Sequence, residues 1–182
     1  MKKKVLSIVA VVLVLCCAIG GTLAWLTDKT DPVKNTFTVG DINIELKETT
    51  TNYKMVPGNT ITKDPKVTVK ANSEACWLFV KVEKSNNFDG FMTYTMADGW
   101  TQLVDADGKA VNGVFYREVT ATTADTSFSV LSGDQVRVLG TVTKTQMENI
   151  KNGGIAAPTL TFTAYAVQKD NVADAATAWS KL

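Results

Sequence analysis

The sequence predicts an all-β fold, an antiparallel sandwich carrying one or two short helices. Three observations carry the prediction. Apolar and polar residues alternate in short runs, as half-buried strands require. Turns rich in Gly, Asn and Asp break those runs about every ten residues. Beyond the N-terminal 24 residues only two stretches, 145–151 and 172–179, suit a helix, and both are short.

The strands can be justified in chain order. Phe37 and Val39, then Ile42, Ile44 and Leu46, alternate with polar partners, and the phase slips at Gly40-Asp41, which reads as a bulge or bend. Thr49-Thr50-Thr51-Asn52 reads as a loop and Pro57-Gly58-Asn59 as a turn. Val67, Val69 and Ala71 alternate with Lys66, Thr68 and Lys70, and Asn72-Ser73-Glu74 turns the chain. Cys76 to Val82 opens with apolar residues on both faces, which suits a central strand covered on both sides. Further strands are expected at Phe91–Met96, Val114–Val119, Phe128–Leu131, Val136–Val142 and Thr159–Val167. Turns at Asp98-Gly99, Asp107-Gly108, Asn112-Gly113 and Ser132-Gly133-Asp134 separate most of them. The first helix, Thr145–Lys151, stops at Asn152-Gly153-Gly154, and the second, Val172–Trp179, takes Asn171 as its N-cap.

A different grammar governs the N-terminus. Lys2, Lys3 and Lys4 precede an uncharged run from Val5 to Ile19, and Gly20-Gly21 with the small residues Thr22 and Ala24 follows. This is the layout of a secretory signal, read as a signal helix over residues 1–24 and cut after Ala24, between Ala24 and Trp25. An uncleaved anchor is the alternative, since counting on through Trp25 or Leu26 approaches the ~20 apolar residues of a membrane span. Residues 25–35 then form an extended segment, and residues 36–182 a single sandwich domain. Cys16 follows Leu15, the wrong neighbour for a lipid-modified cysteine. No C-terminal apolar span suggests covalent attachment to a wall, and Ser180-Lys181-Leu182 reads as a chance match to a peroxisomal address.

Composition excludes much chemistry. The chain holds 19 Lys and Arg against 18 Asp and Glu, and no His. Loss of residues 1–24 removes three lysines and no acid, leaving 16 basic residues against 18 acidic, a net charge of −2. No basic patch argues for nucleic acid. The absence of His removes Ser-His-Asp and Cys-His catalysis and the HExxH zinc site. After cleavage Cys76 is the sole cysteine, so no disulfide framework is expected, and its apolar neighbours suggest a buried inert thiol. No catalytic residue and no cofactor is expected.

Several weaker motifs have plainer readings. Asp105 and Asp107, with Gly108, resemble the start of a calcium loop, but no bidentate acid follows and a hairpin turn explains them. Asp28 and Asp31 flank Lys29, and solvated charges explain that cluster. Trp77 and Phe79 suit a core at strand spacing better than a sugar-binding face. Trp100, after Asp98-Gly99, is expected to be more exposed and stands as a ligand candidate.

Three stretches resemble the TasA/camelysin family of exported biofilm-matrix proteins of Gram-positive bacteria. They are the block from Gly20 through Thr27-Asp28 to Asn35-Thr36-Phe37-Thr38-Val39-Gly40, the turn Val56–Asp64, and the strand Asn72–Val82. The resemblance implies export, cutting by a dedicated signal peptidase of the endoplasmic-reticulum type, a jelly-roll-like sandwich, and head-to-tail assembly into extracellular fibres by donor-strand exchange. The membrane is involved only before the signal is cut. Trp25, Leu26, Thr27, Asp28 and Val33 are the candidate polymerising residues, with Pro32 limiting any regular pairing because it lacks an N–H. Some camelysin-like relatives are classed as metallopeptidases, and a chain without His departs from that. A monomeric surface ligand-binding module and an accessory or anchoring subunit that tethers fibres of a relative remain alternatives, with a camelysin-like peptidase ranked behind them.

Overall fold

The computed structural model describes residues 41–50 and 53–182. Its body is ten strands, β1 Ile44–Lys47, β2 Thr60–Thr62, β3 Lys66–Val69, β4 Cys76–Lys84, β5 Met92–Thr93, β6 Thr101–Val104, β7 Ala110–Val119, β8 Thr126–Ser129, β9 Gln135–Val138 and β10 Leu160–Gln168. Two short helices, α1 Lys144–Lys151 and α2 Ala175–Trp179, complete it. All strand pairs are antiparallel. The all-β sandwich is therefore present. Among the described residues no helix is long and apolar enough to cross a membrane.

The back layer is one sheet in the order β10-β4-β7-β6. The front layer is two shorter sheets, β1-β3-β8 and β2-β9-β5. Both front strands that run through the middle break at the same level. Lys63-Asp64-Pro65 separates β2 from β3, and the stretch Val130–Asp134 separates β8 from β9. Pro65 has no N–H to offer a ladder, and Gly133 turns the opposite strand at φ 64°. Two backbone bonds bridge the break, Lys63 N–H to the Asp134 carbonyl at 2.8 Å and Val130 N–H to the Pro65 carbonyl at 2.9 Å.

Alternation along the strands sorts side chains into three cores. Leu78, Val80 and Val82 of β4 meet Val67 and Val69 of β3 between the layers. Phe88, Phe91, Leu131, Val136 and Val138 fill the space under β2-β9-β5. Trp77 and Phe79, on the opposite face of β4, pack with Leu103, Val114 and the α2 residues Ala175 and Ala178. So β4 is apolar on both faces because both faces are covered. Burial of each large aliphatic or aromatic side chain of this strand stabilises the fold by about 1.5–3 kcal/mol. Cys76 is also fully buried, and burial lifts its thiol pKa to about 11.

Four expectations need correction. The segment Phe91–Met96 holds a strand only at Met92–Thr93, because a 3-10 turn over Phe88–Gly90 buries Phe88 and Phe91 first. Asn112-Gly113 is not a turn. It lies inside β7 as a bulge opposite β6, with Gly113 at φ 68°. The second helix starts at Ala175, not Val172. Asn171 sits at φ 60°, which no N-cap adopts, whereas Asp174 is extended and accepts the Thr177 N–H at 2.7 Å. Trp100 is buried, 8 % exposed, and its Nε1–H donates to the Ser129 carbonyl at 2.9 Å, so it locks β6 to β8 and offers no ligand face.

Candidate assembly seam

Three strand edges converge at one place. Among the described residues β1 pairs only with β3, β2 only with β9, and β10 only with β4, so each leaves one backbone edge unpaired. β1 runs beside β10 with Cα atoms within 8 Å, yet the two share no ladder. Two adjoining hollows lie along β10, one of about 480 Å³ beside Ile61 of β2 and one of about 310 Å³ beside Leu46 and Lys47 of β1. Lys63, Leu160 and Thr161 line both. The larger hollow has an apolar floor that includes Met55, Ile61, Phe88 and Met92. The smaller one adds Leu46 and Phe162.

Lys63 is the polar group of the seam. It follows β2 directly and precedes Pro65, so the break in the front layer delivers it here. Its side chain is only 12 % exposed. A cation so enclosed needs partners. Glu48 Oε1 stands 2.6 Å from its ammonium, and the rings of Tyr53 and Phe162 lie 5.0 and 5.4 Å away. The Tyr53 hydroxyl donates to the same Glu48 oxygen at 2.6 Å. Burial, and then that bond to a carboxylate, push the Tyr53 phenol well above its ordinary value. Next to it Asp64 accepts the Thr49 N–H at 3.0 Å and the Thr49 hydroxyl, which holds its carboxyl below the usual range.

The other edge strands among the described residues are β5, β6 and β8, and β6 carries Val104, 46 % exposed. A hollow of about 340 Å³ beside it is lined by Leu103, Val111, Ala176 and Trp179. Among the described residues β6 is the edge strand that lines that hollow, against β2, β1 and β10 at the two seam hollows.

The residues expected to matter fall into separate groups. Thr22, Ala24, Trp25, Leu26, Thr27, Asp28, Asp31, Pro32 and Val33 lie outside the described residues. Asp105 Oδ1 accepts the backbone N–H groups of Asp107 at 3.0 Å and Lys109 at 2.9 Å, which is the hairpin turn between β6 and β7. Trp77 and Phe79 are core. Sequence reasoning missed Glu48, Tyr53 and Lys63. Their spacing follows no helix or strand period, and only the fold brings them together.

Neither the curated proteins nor the solved structures include a match to this chain. One family model matches, described as camelysin metallo-endopeptidase, over residues 1–86. That stretch includes β1 to β4 and all three seam residues Glu48, Tyr53 and Lys63. The metal that such a description implies finds no fit in the described residues. No three His, Cys, Asp or Glu side chains gather there, and the seam's Glu48 is already engaged by Lys63 and Tyr53. Over these first 86 residues, somewhat less than half of its length, the chain is similar to the camelysin family.

Proposed function

We propose that this protein is a secreted structural subunit of extracellular matrix fibres. A dedicated signal peptidase cuts after Ala24, and the freed segment 25–35 adds to the seam of the next copy. The observation that carries this reading is that the edges of β1, β2 and β10, unpaired among the described residues, lie beside two adjoining hollows whose lining includes Met55, Ile61, Leu46 and Phe162. An extended peptide can satisfy such edges with main-chain hydrogen bonds while alternate side chains enter the hollows. Trp25, Leu26 and Val33 supply the apolar side chains in an otherwise polar segment. Insertion of one copy's end into another's body is heterologous, does not close on itself, and gives a filament. Residues 1–24, while attached, tether the segment at the membrane and block addition.

We infer no hydrolytic role. The chain has no His, the commonest zinc ligand and general base, and the seam carboxylate is tied to a lysine. A casein-degradation assay with added zinc tests this directly. Activity abolished by a chelator would overturn it.

Electron microscopy at rising concentration tests assembly. The chain beginning at Trp25 is expected to form fibres, and a chain beginning at Thr36 to remain monomeric. Monomers from both would remove self-assembly. Fibres from the uncut precursor as readily as from the cut chain would remove the role of cleavage.

A further inference from the structure

The outer face of β2-β9-β5 carries a polar hollow that the seam does not use. Along β9 the alternation is complete. Val136 and Val138 point into the core, while Gln135 and Arg137 are exposed. The register places Arg137 directly between Thr60 of β2 and Thr93 of β5, and Gln135 opposite Thr62. Residues directly opposite in an antiparallel sheet share a face, so one row across three strands reads Thr, Arg, Thr. Thr95 and Ser132 close the end of the row, and together these side chains line a hollow of about 330 Å³ beside Tyr94.

Charge separates this hollow from an ordinary solvated face. No Asp or Glu lines it. Each lysine on a described strand has an acid within 4 Å: Lys47 has Glu45, Lys66 has Asp134, Lys81 has Glu83, and Lys84 has Asp89. The other strand arginine, Arg117, stacks on Phe128 at 3.9 Å and Trp100 at 5.4 Å. Arg137 has no such partner among the described residues. Asp134, close by in sequence, turns Oδ2 towards Lys66 at 3.6 Å.

We propose that this hollow binds a carboxylated saccharide, with Arg137 holding the carboxylate and the flanking threonine, serine and glutamine groups holding sugar hydroxyls. A planar guanidinium receives a carboxylate through two parallel N–H bonds. Hydroxyls and a carboxamide can each both donate and accept, as a sugar hydroxyl requires. A concave site with a few convergent polar groups suits a small ligand, and this volume lies at the lower end of that range. The proposal goes beyond fibre assembly and does not depend on it.

The test is calorimetric titration of the protein, expressed from its full sequence, with trigalacturonate, maltotriose and inorganic phosphate at fixed ionic strength. Trigalacturonate is expected to bind saturably, and maltotriose not to bind. R137Q is expected to weaken trigalacturonate at least tenfold, and Q135A to weaken it by a smaller factor, with melting temperatures unchanged because both residues are exposed. No saturable trigalacturonate binding at millimolar concentration would overturn the proposal, as would equal binding by R137Q. Phosphate binding as tightly as trigalacturonate would also overturn it, since the hollow would then be an anion hole without sugar recognition.

Discussion

Lys63 Nζ stands 2.6 Å from Glu48 Oε1, beside the hollows where the strand edges of β1, β2 and β10, unpaired among the described residues, come together. Both side chains are largely withdrawn from water, at 12 % and 17 % exposure. Removing one partner strands the other. Lys63→Met is expected to cost about 1–3 kcal/mol, below the 3–5 kcal/mol of a fully buried pair because some water still reaches it. The double variant with Glu48→Gln is expected to recover part of that loss. Urea unfolding of the four proteins gives the coupling, and additive losses would show that the pair acts independently.

Burial of Tyr53, and then its bond to the same carboxylate, set how stability depends on alkali. The folded-state pKa of Tyr53 is raised above its unfolded value of 10.0. A raised pKa means the folded form keeps its proton longer than the unfolded chain does. The stabilisation is complete below about pH 10 and disappears as pH rises through the higher folded value. Thermal melts between pH 8 and 11 are expected to show a decline beginning near pH 10. Tyr53→Phe has no proton there to lose, so its decline should be shallower.

Gly113 and Gln102 form a coupled device in the β6–β7 bulge. Gly113 has φ 68°, and a Cβ there would run into the Val82 carbonyl of the neighbouring strand. Gln102 Nε2 donates to the freed carbonyls of Val111 at 2.7 Å and Val114 at 2.9 Å. Gly113→Ala is expected to destabilise by about 2–4 kcal/mol, since strain and a backbone collision act together. Gln102→Leu leaves two acceptors without their donor and is expected to cost about 1–3 kcal/mol. Denaturant midpoints check both. A Gly113→Ala protein as stable as the parent would mean the bulge can relax.

Cys76 should behave as a core residue and not as a thiol. It is fully buried and its pKa is raised to about 11, so little thiolate exists at neutral pH. Alkylation followed by peptide mass analysis is expected to leave Cys76 unmodified in the native protein and to modify it fully in guanidinium. Ready labelling of the native protein would mean that β4 opens locally.

The strands that sequence made legible are the ones whose two faces differ, or whose two faces are both buried. β3 and β4 are of this kind. β6 was missed because Thr101-Gln102-Leu103-Val104 buries only Leu103 fully, which is too weak an alternation to register. Trp100 was misjudged because a turn at Asp98-Gly99 says nothing about the aromatic ring after it. That ring was claimed by β8, almost thirty residues later in the chain. The seam was illegible for the same reason. Glu48, Tyr53, Lys63 and Leu160 share no spacing, and a long-range register places them together. The in-register row at Arg137 likewise needs three strands from distant parts of the chain.

β4 supplies Leu78, Val80 and Val82 to one core and Trp77 and Phe79 to another. A wall shared by two rooms cannot be removed from one alone. Loss of α2 would expose Phe79 and Trp77, and so loosen the strand on which the inter-layer core also rests. The back of the molecule should therefore melt as a unit, and the amides of β4 should exchange with solvent only when the whole domain opens. The edge strands, each held by one neighbour, are free to breathe without disturbing that unit. The fold thus divides its labour between a wall that keeps its form and borders that can loosen without it.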